Sequence, residues 1–387
     1  MPRETFRIVA GLSDEDYQNR ILPHVSRTFA LTIPQLPPGL AGAVTSAYLL
    51  CRIADTIEDE PALSAAESEH YLQRFAAAVS GREDAARLAR ELEGRLSERT
   101  LPSERDLVRN MERVIRLTAQ LARDQRVAME RCIELMCYGM HRFQATASLA
   151  GLERSSDLDS YCYYVAGVVG EMLTELFCCH SPAVALQRTA LQELSVSFAE
   201  GLQLTNIIKD FWEDRSRGAC WFPQEVFARH GVELARLTPQ GSDARFHAGV
   251  RELVAVAHGH LRNALAYALL LPARERGIRL FCLWAIGLAV LTLRRIAARP
   301  GYTRGEQVKV SHSEVLLIRL TTSAAVRNDR VLRRMFEYAA RGLPLSAPLA
   351  MRRAANRAAL LAHAAPEEQP LVARHERSAG RSESQAR

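Results

Sequence analysis

Two stretches of this 387-residue sequence place carboxylates where a helix would bring them together. The first reads Tyr48-Leu-Leu-Cys-Arg52-Ile-Ala-Asp55-Thr-Ile-Glu58-Asp59. At about 100° per residue, Tyr48, Arg52, Asp55 and Asp59 fall in one strip, with Glu58 at its edge. Asp55 and Asp59 are like charges four apart, a pair that repels on a bare helix and that a shared cation would relieve. The second stretch reads Gln203-Leu-Thr-Asn206-Ile-Ile-Lys209-Asp210-Phe-Trp-Glu213-Asp214. Here Gln203, Asn206, Asp210 and Asp214 share a strip on a helix that is otherwise apolar (Phe198, Leu202, Leu204, Ile207, Ile208), so the acids are expected to line a cavity. Oxygen ligands without His or Cys suit a hard cation. Mg²⁺, with Mn²⁺ as the alternative, takes one or two carboxylates, several waters and substrate phosphates. Two facing strips would hold a diphosphate between several such ions and ease its departure. The competing reading is two solvated faces with acids at chance spacing. A repeated pattern with polar neighbours on an apolar helix argues for the site.

These strips need long helices to carry them, and the sequence supplies them. Proline is absent from Ser103 to Ser181 and from Ala183 to Phe222, windows rich in Ala, Leu, Arg, Glu and Gln. Apolar residues recur at three and four, as in Leu107, Met111, Val114, Ile115, Leu117 and Leu121. Strand alternation and GxGxxG are both missing, which argues against a dinucleotide-binding sheet. The reading is an all-α chain of about ten helices with no linker long enough to separate domains. Residues 1–20 read as an N-terminal arm, 21–345 as one domain, and 346–387 as an Ala/Arg-rich tail, disordered from about Pro366.

Composition narrows the partners. The formal charge is +6, and the segment from Pro344 onward, with seven Arg against four Glu, carries half of it. No helix-turn-helix, RRM or zinc pattern points to nucleic acid. Met1 to Asp16 has no apolar run, and the longest uncharged apolar run, Leu280–Leu293, is too short to span a bilayer. The eight cysteines show no zinc spacing and read as buried reduced thiols. A cytoplasmic location is expected, with peripheral contact at the inner membrane face through the basic tail.

Five motifs in order resemble the squalene/phytoene synthase family: Ser26-Arg-Thr-Phe29, Arg52 to Asp59, Tyr161-Cys-Tyr-Tyr-Val-Ala-Gly-Val-Val-Gly170, Asn206 to Asp214, and Trp221-Phe-Pro223. The resemblance implies a single all-α isoprenoid-synthase domain with a central cavity. It implies that Asp55, Glu58, Asp59, Asp210 and Asp214 bind Mg²⁺–diphosphate clusters, supported by Gln203 and Asn206. Ser26, Arg27, Phe29, Tyr48 and Arg52 would contact substrate, and Tyr164 would act in proton transfer. On a regular helix Tyr164 shares a face with Glu171 and Glu175, although a plain core tyrosine stays open as its alternative. Tyr161 and Tyr163 read as core. Phe211 and Trp212 are open between core packing and cation–π stabilisation of a carbocation.

Within the family, Tyr164 to Gly170, Phe281 to Ile286 and Val308-Lys309-Val310 lean toward the branch that finishes with a hydride. The implied reaction joins two farnesyl diphosphates head to head into presqualene diphosphate and reduces this to squalene with NADPH, held by Lys309, Arg52 and Asn206. The alternatives are a non-reductive member (dehydrosqualene, phytoene or hydroxysqualene as product) and a non-catalytic scaffold on the same fold. Departures from the pattern are Ala219, where an Arg is expected, with Arg215 or Arg217 as substitutes, and Ser311 in place of a second basic residue. A monomer is expected. Eukaryotic members end in a membrane helix that has no counterpart here.

Overall fold

The computed structural model describes residues 11–26 and 28–346. It divides the chain into two units, 1–345 and 346–387, and nearly all of the second lies outside the described residues, as do Arg27 and the tail expected to be disordered. Among the described residues there is no strand, only one isolated bridge between Leu152 and Pro223.

Six helices make the centre of the first unit: Pro38–Glu58, Arg123–Gln144, Val168–His180, Arg188–Lys209, Ala244–Leu270 and Arg276–Ala298. Local chemistry starts several of the helices. Pro38 occupies the first turn of its helix, where no intrahelical N–H is needed, and the Asp243 carboxylate caps Arg245 and Phe246. Close crossing depends on small residues. A Cβ on Gly170 would come within 2.3 Å of the Ser195 carbonyl, so only glycine lets Val168–His180 approach Arg188–Lys209 this far. The sides of these helices that face each other bury one continuous apolar core, including Ile53, Ile57, Met129, Leu176, Ile208, Leu261 and Leu293.

Smaller helices flank the bundle. Asp14–Val25 packs on Pro38–Glu58 through buried Tyr17, Ile21, Leu22 and Val25, so the boundary expected after residue 20 falls inside a helix. Ala65–Val79, opened by a Ser64–Glu67 capping box, lies on Arg123–Gln144. His312–Ala325 and Asp329–Ala339 lie on Arg276–Ala298. Pro38–Glu58, Ser155–His180 and Arg276–Ala298 are long and apolar enough to cross a membrane. In this structure most of each is buried within the protein. Counting uncharged runs missed these because a lone charge, such as Arg279 or Glu171, interrupts a count without interrupting a helix.

The structure has more and shorter helices than expected, 18 α-helical segments among the described residues. The periodic run from Leu107 to Leu121 breaks at Asn110, whose amide bonds the Asp106 carbonyl and carboxylate. The second acidic stretch breaks at Asp210 (φ −96°, ψ 12°), which ends Arg188–Lys209 and starts Phe211–Ser216. Ser155–Cys162 continues through a π-helical turn, Tyr163–Gly167, into Val168–His180. That turn changes which residues share a face beyond Cys162.

Candidate active site

The first strip sits on the last two turns of Pro38–Glu58, with Asp59 as its C-cap. Arg52 reaches Asp55 at 3.5 Å and Glu104 at 3.3 Å, a partner that sequence reading missed because it comes from the separate Pro102–Arg109 helix. The Arg52 Nε is buried without a hydrogen-bond partner. One turn back, Tyr48 donates its hydroxyl to the Val25 carbonyl at 2.8 Å, and its ring lies 5.0 Å from Phe29. Ser26 Oγ accepts from the Phe29 N–H at 2.9 Å. Ser26, Phe29, Tyr48 and Arg52 are therefore brought together, as the sequence reading expected.

The break at Asp210 keeps the second strip nearly continuous, because the Asp210 and Asp214 N–H groups still bond the Asn206 and Asp210 carbonyls at 2.8 and 2.9 Å. Lys209 Nζ pairs with Asp210 at 2.9 Å. Asn206 is exposed and Gln203 half-buried. Glu213 accepts the Gly305 N–H at 2.7 Å through Oε1, while its Oε2 is buried without a partner.

The strips face each other. Arg217 holds Asp214 at 2.9 Å and Asp59 at 3.7 Å, one nitrogen on each. Burial pushes the Asp55 carboxyl up to about 7, against the pull of Arg52 and with repulsion from Asp59 and Glu104. Burial likewise holds Asp214 at about 6, with Arg217 opposing and Asp210 and Asp59 repelling. Glu58 is driven well above the carboxylate range by burial and by Asp59, Asp55 and Asp214. Asp210 is raised by burial, with Lys209 opposing. Among the described residues no three His, Cys, Asp or Glu side chains form a preformed metal cage. Mg²⁺ needs none, since waters and phosphates complete its octahedron. An all-oxygen set of mutually repelling carboxylates, partly open to solvent, fits such an ion.

Tyr161 and Tyr164 are both buried, in different surroundings. Tyr164 is buried under Gly139, where a Cβ would come within 2.1 Å of its own, and its ring neighbours are Tyr138, Phe143 and Tyr163. Glu171 is paired with Arg131 at 2.7 Å, and Glu175 accepts from Gln192 and Arg188. Tyr161 instead lies within electrostatic reach of Glu58, Asp214 and Asp59, which with burial raise its hydroxyl well above the usual range. Its ring stacks on Trp221 at 4.2 Å. Sequence reasoning ran a regular helix through the π turn, which alters the face that Tyr164 was expected to share with Glu171 and Glu175. Phe211 and Trp212 resolve to core: Phe211 is buried against Phe222 and Phe246, Trp212 against Phe246, and Trp212 donates to the Tyr302 carbonyl at 2.8 Å.

The Tyr302–Lys309 segment straps the second strip. Tyr302 donates to the Ile208 carbonyl, and Gly305 lies so close that a Cβ there would stand 2.9 Å from Asp210 Oδ1. Lys309, four residues on, has its carbonyl bonded by Arg295 at 2.6 Å. The strap thus leads from the second strip at Gly305 to Lys309, whose backbone carbonyl is held by Arg295 of Arg276–Ala298. Ser311, which stands where a second basic residue was expected, caps His312–Ala325 instead.

Residues 22–314 match the family model described as squalene/phytoene synthase. The squalene synthase of Eremothecium gossypii is 29% identical over 280 residues, 71% of this chain and 60% of that protein. That of Schizosaccharomyces pombe is 28% identical over 286 residues, 73% and 59%. The chain spans about three-fifths of the length of these curated relatives. Among solved structures, the complex of TcSQS with the ligand BPH1237 superposes with a TM-score of 0.69 at 23% identity, over 89% of this chain and 96% of that one. A dehydrosqualene synthase in complex with ligand gives 0.58 at 21% identity, over 81% and 96%. At those identities the superpositions speak for the fold.

Proposed function

This chain belongs to the squalene/phytoene synthase family, and from that premise we propose that it joins two farnesyl diphosphates head to head into presqualene diphosphate and reduces this to squalene with NADPH. The observation that carries the reading is the facing of two acidic strips, bridged through Arg217 between Asp59 and Asp214. All four Asp of the strips are in place, which argues against a scaffold that has lost its chemistry.

Asp55, Glu58 and Asp59 on one side, and Asp210 and Asp214 on the other, would hold Mg²⁺, which when bound neutralises the diphosphate and assists its departure. Arg217 and Arg52 stand at the same strips as direct guanidinium ligands for phosphate oxygens. Arg215 is engaged elsewhere, donating to the Leu149 and Leu237 carbonyls, so Arg217 is the substitute for the arginine missing at Ala219. Ser26, Phe29 and Tyr48 orient the chain of the substrate, and the buried apolar helices behind them exclude the water that would quench a carbocation. The proton lost on closing the cyclopropane would end on the released diphosphate, with the Tyr161 hydroxyl, within electrostatic reach of Glu58, Asp214 and Asp59, handing its own proton on as it takes up the new one. Lys309, which follows Gly305 on the same strap, would bind a phosphate of NADPH as a point charge.

The test is incubation with farnesyl diphosphate and Mg²⁺, with and without NADPH, and identification of products by mass. Squalene with NADPH and presqualene diphosphate without it is the expected result. A C30 product independent of NADPH would move the chain to the non-reductive branch. Untouched farnesyl diphosphate would overturn the substrate assignment.

A further inference from the structure

The hairpin His312–Ala325 and Asp329–Ala339 has two sides of opposite character. Inward, Ile318 sits over Gly287, where a Cβ would come within 2.9 Å of it, and Leu332 and Phe336 are buried. Outward, Leu316, Leu317 and Leu320 are 53%, 59% and 62% exposed. Leu316 and Leu320 are one turn apart and form a stripe that Leu317 widens. A run of three exposed leucines on one outer face points to a partner phase. The next helix supplies the charge. Arg330, Arg333 and Arg334 are exposed there, as is Tyr338 at 74%. Of its two acids, Asp329 is taken by the buried Arg279, leaving Glu337.

We propose that this hairpin docks the protein on an anionic lipid bilayer. Leucines enter the acyl boundary while arginine and tyrosine remain at headgroup level, the arrangement of an interfacial helix. Each guanidinium near an anionic surface adds about 1 kcal/mol of attraction. A second copy of this chain fits the surface less well, because it would bring a like-charged arginine row against the first. Beneath the leucine-bearing helix, a shallow crevice is lined by Leu31, Thr32, Trp284 and Leu288. Leu31 and Thr32 belong to the segment that carries Ser26 and Phe29. The docking face therefore backs directly onto that segment, which under the proposed function is where a hydrocarbon product must leave for an apolar phase. Only this last point rests on that function.

The experiment is co-sedimentation of the full chain with phosphatidylcholine vesicles, with and without phosphatidylglycerol, in the absence of substrate. Binding to the anionic vesicles is expected, weakening steeply with salt. Leu316→Ser/Leu320→Ser should weaken it about tenfold or more, and Arg330→Gln/Arg333→Gln/Arg334→Gln should weaken it and flatten its salt dependence, with circular dichroism unchanged in both. Undiminished vesicle binding by the leucine variant, or no binding by the parent, overturns the proposal. So does a dimer in sedimentation velocity that the leucine variant dissociates, which would give the surface to a second copy. No readout needs turnover, so failure here is separate from failure of the proposed reaction.

Discussion

Arg217 spans the two acidic strips, with Nη2 2.9 Å from Asp214 and Nη1 3.7 Å from Asp59. It lies where a cation belongs and serves as a counter-charge in the metal-free protein. Removing it should make the carboxylates better metal ligands and poorer partners for diphosphate. Arg217→Gln is expected to tighten Mn²⁺ binding, read by electron paramagnetic resonance without substrate, by up to about fivefold, the scale of a half-exposed ion pair. The same variant should raise KM for the diphosphate substrate, and Arg217→Lys should restore both to some extent. Mn²⁺ affinity equal to that of the parent would show that Arg217 does not compete for the site.

The raised carboxyls make stability depend on pH and metal. Asp55 near 7 and Asp214 near 6 bind their protons more tightly folded than unfolded. Their contribution is thus fully present below about 4, the unfolded range, and is lost as pH rises through 6 and 7. In EDTA, the share of Tm that depends on these groups should fall between pH 5 and pH 8, and Mg²⁺ should restore it at pH 8. Asp55→Asn should flatten the profile. A Tm in EDTA that rises across this interval in the parent and is unchanged by Asp55→Asn would contradict the assignment.

Exchanging the two tyrosines separates chemistry from packing. Tyr161→Phe is expected to slow formation of presqualene diphosphate about 10²-fold or more, as loss of a proton-transfer group does, while keeping the Trp221 stack. Tyr164→Phe should stay within a few-fold of the parent, because its ring packs under Gly139 among other aromatics. Single-turnover kinetics without NADPH isolates this half-reaction. The reverse ranking would return the role to Tyr164.

The tyrosine exchange also shows what the sequence made legible. Helical periodicity correctly put Asp55 with Asp59 and Asp210 with Asp214, because spacing within one helix is a local property. It could not register the π turn at Tyr163–Gly167, where one extra residue rotates everything that follows. Nor could it pair Arg52 with Glu104 or Arg217 with Asp59, since those partners lie far apart in the chain and only tertiary packing joins them. Phe211 and Trp212 looked ready for cation–π work until Phe222, Phe246 and the Tyr302 carbonyl filled their surroundings.

Gly139→Ala tests the packing that fixes Tyr164. The added methyl would come within 2.1 Å of Tyr164 Cβ and 2.4 Å of its ring, in the core where Arg123–Gln144 meets the π turn. Neither helix can yield without disturbing the other, so the variant should lose about 1–3 kcal/mol in urea melts, as overpacked cores do. An unchanged midpoint would mean that the two elements are less tightly joined than their approach implies.

Gly305→Ala asks a different question at a similar contact. Its methyl would meet Asp210 Oδ1 at 2.9 Å, the Lys209 carbonyl at 3.3 Å and Glu213 Oε1 at 3.4 Å. These neighbours belong to the second strip rather than the core, and the strap can lift at small cost in stability. Lifting it would break the Gly305 N–H bond to Glu213 and shift the segment that leads to Lys309, the residue proposed to hold NADPH. The expected result is a midpoint close to the parent, a modest fall in presqualene diphosphate formation, and a larger fall in its conversion to squalene with NADPH. If both half-reactions fell equally, the strap would be serving the acidic strip alone, and Lys309 would lose its assignment to the nucleotide.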